Sequence, residues 1–135
     1  MTAPVTAPVT APLGRPYLRL PVVADDGFPQ AFRMAVGRGS YVVELAVTVV
    51  DEALLLTGLP LQLPLPGAFM VMAVTREGPG PAAVVFRRKL VLDHEYGGAE
   101  LAFVVKELTV APRNLNAAGP FGSRVTAGVA TRWAL

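Results

Sequence analysis

Ser40-Tyr41-Val42-Val43-Glu44-Leu45-Ala46-Val47-Thr48-Val49-Val50 is the stretch whose reading decides the fold. In an extended chain Tyr41, Val43, Leu45, Val47 and Val49 fall on one face, and Val42, Glu44, Ala46, Thr48 and Val50 on the other. Alternation with period two is the signature of a strand. The first face is wholly apolar and belongs in a core. The second is mixed, as in a strand that a neighbour covers only in part.

Working outward, Gly37-Arg38-Gly39 joins this strand to residues 30–36 as a hairpin. Residues 17–23 read as an edge strand interrupted by Pro21, and Asp25-Asp26-Gly27 as a turn. Residues 54–58 are expected to form a short strand. Residues 68–76 and 82–93 form two more around Gly78-Pro79-Gly80-Pro81, and residues 93–98 turn the chain again. In residues 99–110, Leu101, Phe103 and Val105 are in phase, Lys106-Glu107 breaks the phase, and Leu108 and Val110 restore it, which predicts a β-bulge near Lys106. Residues 112–122 are a long irregular loop, and residues 123–135 close the chain as a strand bearing the single tryptophan, Trp133. No window longer than ten residues carries a helical stripe. The expected fold is all-β: a compact antiparallel barrel or sandwich of seven or eight strands over residues 17–135.

The first sixteen residues form a separate arm. Thr2-Ala3-Pro4-Val5, Thr6-Ala7-Pro8-Val9 and Thr10-Ala11-Pro12-Leu13 write one uncharged unit three times. A proline in every copy fixes φ, removes an amide donor and constrains its predecessor, so helix and central strand are both excluded. An extended arm remains, suited to a spacer or to lying along a neighbouring subunit. Pro4, Val5, Pro8, Val9, Pro12 and Leu13 are the arm's candidate partner contacts.

A second candidate lies at Leu59-Pro60-Leu61-Gln62-Leu63-Pro64-Leu65-Pro66. Extended, it places its leucines on one side and prolines opposite, which protects an edge from uncontrolled pairing. The leucines either lie over the chain's own core or form a ridge presented to another subunit. Leu61, Leu63 and Leu65 are the residues a partner would meet.

Composition points towards association. Of 135 residues, 53% are hydrophobic and only 16% charged, against about 25% charged in ordinary globular domains. Too few polar groups remain to cover a small monomer, which predicts that another chain covers part of the surface. The net charge is +2, and no cysteine offers a disulfide, a thiolate or a zinc ligand. Thirteen prolines with few amides and no cysteine match the habit of heat-stable proteins. Residues 53–75 carry no charge, but Pro60, Pro64 and Pro66 exclude a membrane helix there. No membrane role is expected.

The residues point away from catalysis. Ser40 and Ser123 lack the second glycine of a nucleophile elbow, and no phosphate-binding glycine pattern occurs. Asp93-His94-Glu95 is the one acid–base cluster. It reads as a solvated turn, or in the alternative as the mouth of a small β-barrel enzyme or ligand binder using His94. Arg87-Arg88-Lys89 is too short a basic run to promise nucleic-acid binding, and is expected to meet Glu100, Glu107 or acids of a neighbouring subunit. No cofactor, metal or enzymatic activity is expected.

A repeated proline arm ahead of a small, cysteine-free, charge-poor β domain resembles the capsid decoration (cement) proteins of tailed bacteriophages. Small β proteins of phage tails and baseplates share the style. The resemblance is carried by the Thr-Ala-Pro repeat of residues 2–12 and by the overall organisation. It implies a virion structural protein, assembled in the host cytoplasm, homo-oligomeric with a trimer favoured, that binds other virion proteins such as the major capsid protein.

Overall fold

The computed structural model describes residues 2–4, 8–9, 17–78, 80–98 and 100–131. Among them are eleven strands: β1 (Thr2–Pro4), β2 (Pro8–Val9), β3 (Tyr17–Arg19), β4 (Gln30–Val36), β5 (Gly39–Val49), β6 (Leu61–Gln62), β7 (Ala68–Glu77), β8 (Ala83–Lys89), β9 (Tyr96–Gly98), β10 (Leu101–Val110) and β11 (Arg124–Thr131). One sheet has the order β1-β4-β5-β7-β8. The other has the order β2-β3-β11-β10-β6, with β9 also paired to β10. Among the described residues no ladder joins the two sheets, so of barrel and sandwich the chain forms the sandwich. The count exceeds seven or eight because β1, β2, β6 and β9 are pieces of two or three residues.

The hairpin read from residues 30–50 forms, but its turn is the two residues Gly37-Arg38, so that Val36 pairs with Gly39, Met34 with Tyr41 and Phe32 with Val43. Tyr41, Val43 and Leu45 are buried against Met70, Met72 and Val74 of β7 and Leu101, Phe103, Val105, Leu108 and Val110 of β10. Each such large side chain contributes about 1.5–3 kcal/mol by leaving water. The opposite face of β5 stays open: Glu44, Ala46 and Thr48 are exposed.

The bulge falls where the phase of β10 breaks. Val105 pairs with Ala127 and Glu107 with Thr126, which leaves Lys106 between them, and its ammonium pairs with Asp93. A second bulge interrupts β8, where Phe86 pairs with Val74 but Val84 pairs with Thr75. Its extra residue, Val85, gives no sequence signal because both neighbours are also apolar.

Two expected elements differ. Residues 54–58 do not form a strand: a 3₁₀ turn runs over Glu52–Leu55, because the Asp51 carboxylate accepts the Ala53 amide at 3.1 Å and caps it. Residues 93–98 turn only in their first half. From Tyr96 the chain pairs back onto Leu101–Phe103, so it is β9. The predicted strand at 82–93 ends at Lys89, and the terminal strand is described to Thr131. Trp133 lies outside the described residues.

The described pieces of the arm lie on both sheets. β1 pairs in parallel with β4, Thr2 opposite Arg33, and β2 pairs antiparallel with β3, Pro8 opposite Leu18. Both are edge strands, the one sheet position that tolerates proline. Val5, Pro12 and Leu13 lie outside the described residues.

Candidate interaction site at the loop end of the sandwich

The site begins where β5 runs out. The amides of Val50 and Asp51 both donate to the Gly67 carbonyl, and the Asp51 cap then turns the chain through Glu52–Leu55. Leu54 and Leu55 pack back on the core. Gly58, at φ +71°, takes the chain through a bend that a side chain would resist. The leucines on either side of that bend point away from the protein. Leu56 is 86% exposed and Leu59 66%.

Facing this loop is a second one, held by buried polar groups. Asn114 is fully buried: its amide nitrogen donates to the carbonyls of Ala117 and Gly119, each at 3.1 Å, and its Oδ1 accepts from the Ser123 hydroxyl at 2.6 Å. Ser123 in turn accepts the Ala111 amide at 2.7 Å. The Phe28 amide donates to the Asn114 carbonyl and the Asn116 amide to the Phe28 carbonyl, which stitches residues 28–29 beside the loop. Gly27 makes this approach possible. It sits at φ +84°, and a Cβ there would fall 2.4 Å from the Ala117 carbonyl oxygen.

Between the two loops lies an open groove of about 500 Å³, walled by Phe28, Pro29, Val47, Val49, Leu55 and Leu115. Arg113 is the one charged side chain lining it, and its guanidinium lies 4.2 Å over the Phe121 ring. Acidic groups stand on the opposing loop. Asp51 is engaged as the cap, while Glu52 is exposed and makes no ion pair with a described residue. The end of the sandwich thus carries an apolar projection, an apolar groove beside it, the cation Arg113 on one loop and the acids Asp51 and Glu52 on the other.

The leucines predicted as a ridge are placed otherwise. Leu61 is 5% and Leu63 2% exposed, and Leu65 is half-buried against the same core. Pairing of Leu61 with Val110, and donation from the Leu63 amide to the Leu108 carbonyl, lay the segment along β10 and turn its odd residues inward. Of the two readings, the chain covers its own core with this segment. Only Leu59 escapes, because it precedes the pairing.

His94 is exposed and sits edge-on to Tyr96, ring centres 4.6 Å apart. Among the described residues, no three of His, Cys, Asp and Glu group to hold a metal ion. The acids expected to meet the basic run are engaged elsewhere. Glu100 takes Arg76 and the Tyr41 hydroxyl, and Glu107 takes Arg124 and the Thr126 hydroxyl. Arg88 and Lys89 lie instead over the rings of Tyr96 and Phe69. At the opposite end of β5, burial and then the hydrogen bond to Glu100 push the Tyr41 hydroxyl up to about 12. No helix among the described residues is long and apolar enough to cross a membrane.

The loop-end site escaped sequence reading because it is assembled from four separated segments, around residues 28, 48, 56 and 113. The available signal was Leu54-Leu55-Leu56 followed by Leu59, more leucines than one short turn can bury. Comparison with protein-family models, with curated proteins and with solved structures finds no match to this chain.

Proposed function

We propose that this chain is a non-enzymatic structural subunit of a larger particle, in its most concrete form an oligomeric decoration protein of a tailed-phage capsid. The observation that carries the reading is the loop end: Leu56 and Leu59 stand in solvent beside an apolar groove, in a chain with few charges to spare. Exposed apolar surface of this kind marks an interaction site. In this reading the sandwich is a rigid platform and its apolar end is the face that docks where shell subunits meet. Binding only the assembled shell stabilises that state by mass action.

The arm supplies a second, tethered contact. Its units sit on sheet edges in this chain, and an equivalent edge on a neighbour offers the same backbone pairing. A linked second contact raises affinity by effective concentration and not by new surface on the domain. The test is co-sedimentation of the purified protein with shells of the major capsid protein encoded in the same genome. Binding that is lost on deletion of residues 2–12 and on Leu56→Ser/Leu59→Ser supports the reading. A full-length protein that stays in the supernatant refutes it.

A further inference from the structure

We infer that the occupant of the loop-end groove is a second copy of this chain, and that two copies join about a two-fold axis by exchanging their Leu56–Leu59 loops. This goes beyond the particle reading: it concerns the free protein, in which a second copy occupies the face that a shell would otherwise take, so that docking on a shell requires the pair to open, and it holds or fails without any shell.

Three observations meet at one place. The first is a projection with no cover of its own, Leu56 at 86% and Leu59 at 66% exposed. The second is an open groove of about 500 Å³ walled by Phe28, Pro29, Val47, Val49, Leu55 and Leu115, which suits aliphatic side chains. The third is charge. The groove brings Arg113, held over Phe121, and the projecting loop brings Glu52, which has no ion-pair partner among the described residues. Projection and groove therefore complement each other in polarity and sign.

Their position selects the symmetry. Leu55 and Gly58 both line the groove, so the projection rises from the groove's own rim. A ring needs its two complementary patches on diverging faces. Patches side by side on one face are satisfied together by a two-fold contact, in which each copy gives its leucines and receives its partner's. That arrangement sets Glu52 of each copy towards Arg113 of the other and closes without leaving a free groove. It favours a dimer over the trimer expected from the sequence resemblance.

Sedimentation equilibrium of the full-length protein over a wide concentration range tests this, with circular dichroism of every variant to confirm folding. The wild type is expected to follow a monomer–dimer equilibrium. Leu56→Ser/Leu59→Ser is expected to remain monomeric, and these exposed positions can be changed without opening the core. Glu52→Arg and Arg113→Glu are each expected to lower the association constant roughly five- to tenfold, as loss of a rim ion pair and gain of a like-charge contact do. Combining the two restores association to within about twofold of wild type, because the pair is rebuilt with its signs exchanged. A wild type that is monomeric throughout overturns the inference. So does a trimer, or a dimer indifferent to the leucine and charge variants.

Discussion

Asn114→Ala separates a loop held by its own polar network from one merely resting on the core. Asn114 makes three hydrogen bonds, and the Ser123 hydroxyl that it accepts is itself tied to the Ala111 amide. Alanine removes all three. The Ala117 carbonyl belongs to an exposed residue and returns to water, so its loss costs little beyond the bond itself. Ser123 is buried and is left with a hydroxyl proton and no acceptor. At about 1 kcal/mol for each bond to a carbonyl and about 1–3 kcal/mol for the stranded hydroxyl, the loss is about 3–5 kcal/mol. For a chain of this length that lowers Tm by about 10–18 °C. Urea unfolding should show the midpoint falling with an unchanged slope, since the compactness of neither state changes. Ser123→Ala should cost a similar amount, and the double variant less than the sum, because both residues serve one network. A loss below about 0.5 kcal/mol for Asn114→Ala, within the range of ordinary surface substitutions, would refute the claim that this network holds the loop.

In urea unfolding at a concentration where the chain is monomeric, Leu63→Ala should cost about 2–5 kcal/mol, as truncation of a core leucine does, whereas Leu59→Ala should change stability by less than about 0.5 kcal/mol; equal effects would contradict the inward placement of the segment along β10. Gly27→Ala should destabilise by more than about 2 kcal/mol by thermal melting, since it combines a positive φ with a backbone clash. In absorbance titration one tyrosine should ionise at about 12 instead of the ordinary 10.0, and Tyr41→Phe should abolish that step. Because folding holds the phenol protonated, the folded chain binds more protons than the unfolded chain between those values. This stabilisation is complete below pH 10 and fades as pH rises towards 12, and alkaline melts of wild type and Tyr41→Phe measure it.

The long strands were legible wherever one face was apolar and the other was not. Residues 30–50 gave the hairpin and its buried face together, because a shift of one residue would have driven Glu44 into the core. The bulge at Lys106 was equally visible, since the apolar phase changes parity across it. Residues 54–58 misled: three consecutive leucines carry no period, and the deciding contact is the capping bond to Asp51, three residues before the first of them. The alternation at Leu59–Leu65 identified a one-sided segment correctly but left its side open. Long-range pairing with β10 settles that, and no local pattern encodes it. The Asn114–Ser123 network was hidden for the same reason, its members lying nine residues apart in a loop without repeat or motif.

Hydrogen exchange of the full-length protein at low and at high concentration tests the central claim, that the apolar loop end is the surface through which this chain associates. Protection should rise with concentration in residues 47–59 and 112–116 and stay level across β8, the edge strand of the sheet that contains β5. Exchange that does not depend on concentration, or protection that appears on the open face of β5 and β7 and leaves the loop end unchanged, would contradict it.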